Sequence, residues 1–228
     1  MRSNSLVKII CQTEARLLKL ARRQRYREGL EIIQRFNRKY GPVNEILIQK
    51  AFFLYHYAAY LMYDHTQASK KKALIRQNFE QAINICKLLI KKLHNIDDRN
   101  LLNVRIYLAQ IYAMIGRSKE AKNIARLTFN YCPSTLTAER AADVHLRLND
   151  LHRAIFWYRK SIKLAKQIDE KVMAQIGLAV MYKQMGKTVV ATRQARIAST
   201  LLKQADKSMG ITLLGESLHA HFPNLDES

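Results

Sequence analysis

Residues that interrupt helices are rare in this chain. It holds three prolines and seven glycines in 228 residues. The prolines Pro42, Pro133 and Pro223 stand where a helix would have to end anyway. Helix-forming Leu, Ala, Lys, Arg and Gln fill the intervals, and no run alternates apolar and polar residues between turn signals as strands do. The fold class that follows is all-α. Cysteine is also scarce: Cys11, Cys86 and Cys132 are widely spaced, odd in number and form no Cys-x-x-Cys pair. They read as reduced thiols in a cytosolic core rather than as a disulfide framework. No apolar run is long enough to span a bilayer. The start, Met1-Arg2-Ser3-Asn4-Ser5, leads only into a short apolar cluster followed by Glu14 and Arg16. Neither a membrane span nor a secretory signal is expected, and the expected compartment is the cytoplasm. Acidic residues are the last shortage. Against 39 Lys and Arg there are 18 Asp and Glu, a net charge of +21. That favours contact with a polyanion (nucleic acid, an acidic protein or anionic lipid) without choosing among them.

What the chain does contain is a recurring pair of helices. Leu108, Ala109, Tyr112, Gly116, Ala121, Ala125, Thr128 and Pro133 punctuate a stretch that reads as one helix to Ile115, a turn at Gly116, and a second helix from Ser118 to before Pro133. Ala109, Ala121 and Ala125 allow close approach, and Tyr112 fills the space between. Such a hairpin cannot bury its apolar faces alone. The pattern returns as Ala142, His145, Asn149, Ala154, Tyr158 and Ser161, with His145 lying 33 residues after Tyr112. It returns again as Leu178, Ala179, Tyr182, Gly186, Ala191, Ala195 and Ala198, with Tyr182 a further 37 residues on. In the middle copy His145 replaces the ring and Asn149 the turn glycine; Asn tolerates the left-handed conformation at a helix C-terminus. These units resemble tetratricopeptide repeats (TPR), whose period is about 34 residues. The resemblance is carried by residues 101–205.

That resemblance implies one domain over 1–228: an α-solenoid of stacked antiparallel hairpins wound as a right-handed superhelix. The units fall at about 4–41, 43–94, 98–133, 134–167 and 169–205, followed by a capping helix near 207–220 and a tail over 221–228. In chain order, 4–22 reads as a helix with Val7, Ile10, Leu17 and Leu18 on its apolar side. Gln24-Arg25 makes a turn, and Tyr26, Gly29, Ile33 and Phe36 form the face of a second helix closed by Gly41-Pro42. A long helix, 43–63, is crowded with rings. Phe52, Phe53, Tyr57 and Tyr60 are expected to be packed, whereas Tyr55, His56 or Tyr63 are candidates to line a groove or stack on a ligand. A polar loop over 64–71 separates it from the helix Lys72 to His94, and Asp97 or Asp98 is a natural N-cap for the next. Beyond the last repeat, Met209-Gly210 is expected to break the chain before a short helix from Ile211 to Ala220. Its Leu213, Leu214 and Leu218 would cover the exposed apolar edge. Pro223 to Ser228 is expected to fray.

No chemistry-bearing constellation is legible, so the chain is not expected to be an enzyme, and no cofactor or metal is expected. Gly186-Lys187-Thr188 ends like a phosphate loop, but Met181 stands where that motif needs its earlier glycine, and no strand precedes it. The seven histidines have no metal-ligand spacing. His145 reads as a core stand-in for the repeat tyrosine. Within the resemblance, the first helix of each hairpin lines a groove that holds a peptide or a partner's helix. The groove would present Asn103, Ile106, Tyr107, Gln110 and Met114, then Glu139, Arg140, Asp143 and Arg147, then Met173, Ile176, Val180, Lys183 and Gln184. Of the lysine, asparagine and arginine clamp that grips a terminal carboxylate in chaperone-tail relatives, only Arg140 fits, so that ligand is not expected. Arg22, Arg23, Arg25, Lys70, Lys71 and Lys72 are the candidate polyanion contacts. The leading expectation is a non-enzymatic module binding a protein or peptide. The alternative is a basic helical-repeat protein associated with RNA, DNA or a ribonucleoprotein complex.

Overall fold

A computed structural model describes residues 4–64, 70–93, 98–205, 209–223 and 225. Eleven helices occur among them. They are α1 (Asn4–Arg22), α2 (Tyr26–Tyr40), α3 (Asn44–Tyr63), α4 (Lys72–Leu93), α5 (Asp98–Met114), α6 (Ser118–Tyr131), α7 (Thr135–Arg147), α8 (Leu151–Leu164), α9 (Ile168–Gln184), α10 (Thr188–Gln204) and α11 (Met209–His221). The chain divides into two compact units, Met1–Ile115 and Gly116–Ser228. The division falls at the turn between α5 and α6. Within each unit, helices adjacent in sequence are adjacent in space.

Four of the turns between consecutive helices are copies of one another. The residue before the second helix is Arg25, Arg117, Asp150 or Lys187, and its φ,ψ angles are −84°,57°, −78°,67°, −95°,67° and −86°,62°. The residue ahead of it is left-handed in every case: Gln24 at φ 55°, Gly116 at 78°, Asn149 at 56° and Gly186 at 70°. Three of these turns close with the same crossed pair of backbone bonds. Arg25 N–H donates to the Leu20 carbonyl and Gln24 N–H to Ala21; the pairs Asp150–His145 and Asn149–Leu146, and Lys187–Tyr182 and Gly186–Lys183, repeat it. This is the Schellman closure, which satisfies helix-end carbonyls that would otherwise be stranded. The diverged first hairpin thus shares its turn with the clear repeats.

Small residues set how closely helices approach. Ala109, Ala121, Ala125, Ala154, Ala179, Ala191, Ala195 and Ala198 are all buried. A Cβ on Gly29 of α2 would lie inside the Phe53 ring of α3, and one on Gly177 of α9 would collide with the Tyr158 ring of α8. In the first unit Ile10, Leu17, Ile33, Phe36, Ile46 and Phe53 form the core of α1 to α3. In the second, Val172, Ile176, Ala179, Ala195 and Ala198 meet Leu218 of α11. Ser134 caps α7 by accepting from the Thr137 N–H at 3.2 Å, while the Ser134 N–H donates to Thr137 Oγ1 at 3.1 Å. This reciprocal box holds two donors that would otherwise have no partner.

Several expectations need correction at the C-terminal end and in the aromatic helix. Met209 and Gly210 do not break the chain; they open α11. A glycine in the first turn is tolerated because the N–H groups there have no intrahelical partner in any case. Leu218 is buried and Leu214 joins the core, but Leu213 is 59% exposed. Phe222 and Leu225 pack against that same core, so the segment after α11 is not frayed there. Tyr60, expected to be packed, is 47% exposed, and Tyr55, a candidate groove residue, is only 2% exposed. Tyr55 points to the α4 side, its ring 6.4 Å from Phe79. The Asp97 or Asp98 cap, His94 and residues 65–69 of the polar loop lie outside what the structure describes.

Candidate functional site

In the first unit a ladder of rings runs from α2 across α3 to α5. Tyr26 stacks on His56 at 5.8 Å with an interplanar angle of 15°, and meets Tyr60 at 6.3 Å. His56 touches Phe52 at 4.2 Å, and Phe52 meets Tyr107 of α5 at 5.7 Å. Near its C-terminal end, Tyr63 donates its hydroxyl to the thioether of Met114 at 3.8 Å. The spacing explains the alignment. Phe52, His56, Tyr60 and Tyr63 follow one another at three or four residues, which puts them along one side of α3. Tyr107, Gln110 and Met114 do the same on α5. Of the expected groove residues here, Gln110 and Ile106 are buried, while Asn103, Tyr107 and Met114 are half-buried. The solvent-facing part of the ladder is therefore Tyr60 together with Tyr63, which is 61% exposed, beside Met114. Tyr60 is the member of this wall that its aromatic sequence context assigns to packing.

The second unit is polar where the first is aromatic. Arg140 pairs with Asp143 at 3.1 Å, and the Tyr158 hydroxyl of α8 donates to the other oxygen of Asp143 at 3.1 Å. Burial and the neighbouring Asp143 push the Tyr158 phenol far above its ordinary value, so it keeps the proton that it donates to Asp143. Glu139 is buried, with the Ser161 hydroxyl donating to it at 3.3 Å. Loss of water raises its carboxyl from 4.5 to about 7. Burial lowers the His145 imidazole below its ordinary value, and its Nδ1 lies 3.1 Å from Asp150. Asp150 also accepts from Lys122 at 2.7 Å and caps α8 through the Arg153 N–H. Burial opposes the charge on Asp150, but Lys122 and His145 outweigh it and hold the carboxyl below its usual range. Arg147 and Gln184 are exposed. Lys183, also exposed, donates to the His221 carbonyl of α11 at 2.6 Å and lies 5.1 Å from the Phe222 ring. It walls a small apolar pocket of about 260 Å³ with Ala191, Phe222, Pro223 and Leu225.

Of the candidate polyanion contacts, Arg22, Arg23, Lys70 and Lys72 are exposed and Lys71 is half-buried. Arg25, just ahead of α2, is engaged by Glu28 of that helix. Gly186-Lys187-Thr188 forms the interhelical turn described above, not a loop after a strand. Among the described residues no group of three or more His, Cys, Asp or Glu is arranged to hold a metal ion. No described helix is long and apolar enough to cross a membrane.

Antiparallel hairpins that share one turn geometry and approach through small residues define a helical-repeat protein of the α-solenoid class, and its repeats are TPR-like. Solved structures agree. TTC0263, a thermophilic TPR protein from Thermus thermophilus, superposes with a TM-score of 0.60 over 92% of this chain and 98% of that one, at 15% identity. A fragment of MamA, 41-end, from Desulfovibrio magneticus RS-1, gives 0.54 over 87% and 97%, at 14% identity. At such identities the likeness concerns the fold. In sequence the chain matches no family profile and no curated protein.

Proposed function

We propose that this protein is a non-enzymatic scaffold, working in the cytoplasm, that holds a peptide or a helix of a partner protein against the first helices of its hairpins. The observation that carries this reading is the exposed pair Tyr60 and Tyr63 beside Met114. Two large rings exposed on α3, one of them bonded to a half-buried thioether of α5, form a surface that gains by being covered. The three free cysteines fit a reducing compartment. In the second unit Arg140, Arg147, Lys183 and Gln184 are the positions that would grade partners by charge. Asp143, already held by Arg140 and Tyr158, would set the direction of the Arg140 guanidinium rather than bind.

Affinity capture from native cells at about 0.15 M salt, with and without nuclease, tests the reading. Recovery of one defined protein, insensitive to nuclease and reduced about tenfold or more by Tyr60→Ala with Tyr63→Ala, is the expected result. Capture that disappears with nuclease and falls steeply with salt would instead identify nucleic acid, the alternative suggested by net charge alone. Among the described residues no site favours that alternative.

A further inference from the structure

Helix α10 carries a second, independent surface. Its inner side is Ala191, Ala195 and Ala198, all buried. Its outer side presents Val189, Arg193, Ile197, Thr200 and Gln204, which follow at intervals of three or four and so form one stripe along the helix. Val189 is 83% exposed, and Ile197 is exposed as well. These residues and Arg196 line a shallow open concavity of about 880 Å³. From Lys171 to Ala205 there is no acidic side chain at all, while Lys187, Arg193, Arg196 and Lys203 stand in or beside α10. A helix whose charged side chains are all basic, with two exposed apolar residues set among them, specifies its complement.

We propose that the outer face of α10 docks an acidic amphipathic helix of another protein. Val189 and Ile197 lie about 12 Å apart along the axis, roughly two turns. A partner helix with apolar side chains two turns apart would cover both, and carboxylates between and beside them would face Arg193 and Arg196. A second copy of the chain does not fit, because apposing this stripe to itself sets arginine against arginine and leaves no acid between them. A bilayer fits poorly too, since Arg193 interrupts the apolar positions and leaves no continuous face to insert. Nucleic acid would use the cations but leave Val189 and Ile197 without a partner, and no ring on this stripe offers a base a stacking surface.

The test uses the full chain and a fluorescein-labelled helical peptide of about five turns, with leucines two turns apart flanked by glutamates, read by anisotropy at about 0.15 M salt. Binding is expected to weaken about tenfold or more in Val189→Asp with Ile197→Asp. It should be lost in Arg193→Glu with Arg196→Glu and return when the peptide's glutamates become lysines. Both pairs of substitutions are on solvent-facing positions, and unchanged circular dichroism melting confirms that each variant folds. Tyr60→Ala with Tyr63→Ala should leave this binding untouched, which separates it from the aromatic face of α3. Equal affinity in all variants, failure of the lysine peptide to rescue, or effects confined to a labelled single-stranded oligonucleotide or to self-association would each overturn the proposal.

Discussion

In the unit Met1–Ile115 the exposed side of α3 ends in tyrosine rings, whereas in the unit Gly116–Ser228 the equivalent side of α7 ends in charges that already have partners. Tyr60 and Tyr63 sit in water beside Met114. Asp143 answers to both Arg140 and Tyr158, and Glu139 to Ser161. The scaffold beneath is the same in both: the turns at Gln24-Arg25, Asn149-Asp150 and Gly186-Lys187 have one backbone geometry. The difference teaches that the repeat specifies backbone and small-residue contacts, and leaves side-chain chemistry on the exposed faces free to diverge. On this face the first unit offers hydrophobic contact area. The other holds its polar groups in place from within.

The sharpest way to break the comparison is to attack what the two units share. Gly29→Val and Gly177→Val each drive a side chain into a ring, Phe53 in one unit and Tyr158 in the other. Each is expected to cost about 3 kcal/mol, the upper end for overpacking, because a buried ring cannot yield without moving its helix. Urea midpoints read the effect, and a loss below about 0.5 kcal/mol at either site would show that this approach is not tight.

Next in size is a pH dependence rooted in the second unit. The Glu139 carboxyl rises from 4.5 to about 7, first because burial removes its water; Asp143 and Glu170 add to this, while Arg140 and Ser161 oppose it. Between those values the folded chain holds a proton that the unfolded chain has released. Stability therefore falls as pH rises through that window and levels off above it, by on the order of 2–3 kcal/mol. His145, whose value is lowered, works with the opposite sign, losing stability as pH falls below its ordinary value near 6.5. Comparing wild type with Glu139→Gln isolates the carboxylate: the variant should gain about 2 kcal/mol at pH 8 and little at pH 5. An equal gain at both pH values would mean that Glu139 is not desolvated.

The middle-sized effect belongs to a cap. Ser134→Ala removes the acceptor for the Thr137 N–H and half of the reciprocal box at the start of α7. A loss of about 1 kcal/mol is expected, measured by thermal or urea unfolding.

Much of the scaffold could be read from sequence because glycine, asparagine and alanine mark positions that other residues fill at a cost. Gly116, Asn149 and Gly186 announced their turns, and the buried alanines announced close approach. Gln24 hid its left-handed turn because glutamine carries no such signal; only the spacing of α1 and α2 around it gave the position away. The faces were less legible. Gln110 and Glu139 follow the register of outward positions, yet both are buried. Glu139 has room because Ser161 opposite it is small, a fact of α8 that no reading of α7 alone supplies. Tyr60 misleads for the converse reason: an aromatic residue among aromatics reads as core, and nothing local tells which ring is left in water.

The smallest expected effects compare the shared turns directly. Gln24 and Asn149 occupy left-handed backbone at φ 55° and 56°, where Gly186 stands at 70° in the third copy. A side chain in that region meets its own carbonyl, a strain of roughly 1–2 kcal/mol for an ordinary residue and less for asparagine, whose short polar side chain is accommodated there. Gln24→Gly should therefore stabilise by about 0.5–1 kcal/mol once the added freedom of the unfolded chain is subtracted, and Asn149→Gly by a few tenths at most. The ordering is the point. If asparagine gained as much as glutamine, or if Gln24→Gly destabilised, the first hairpin would not be using the turn of the later ones as its backbone angles require.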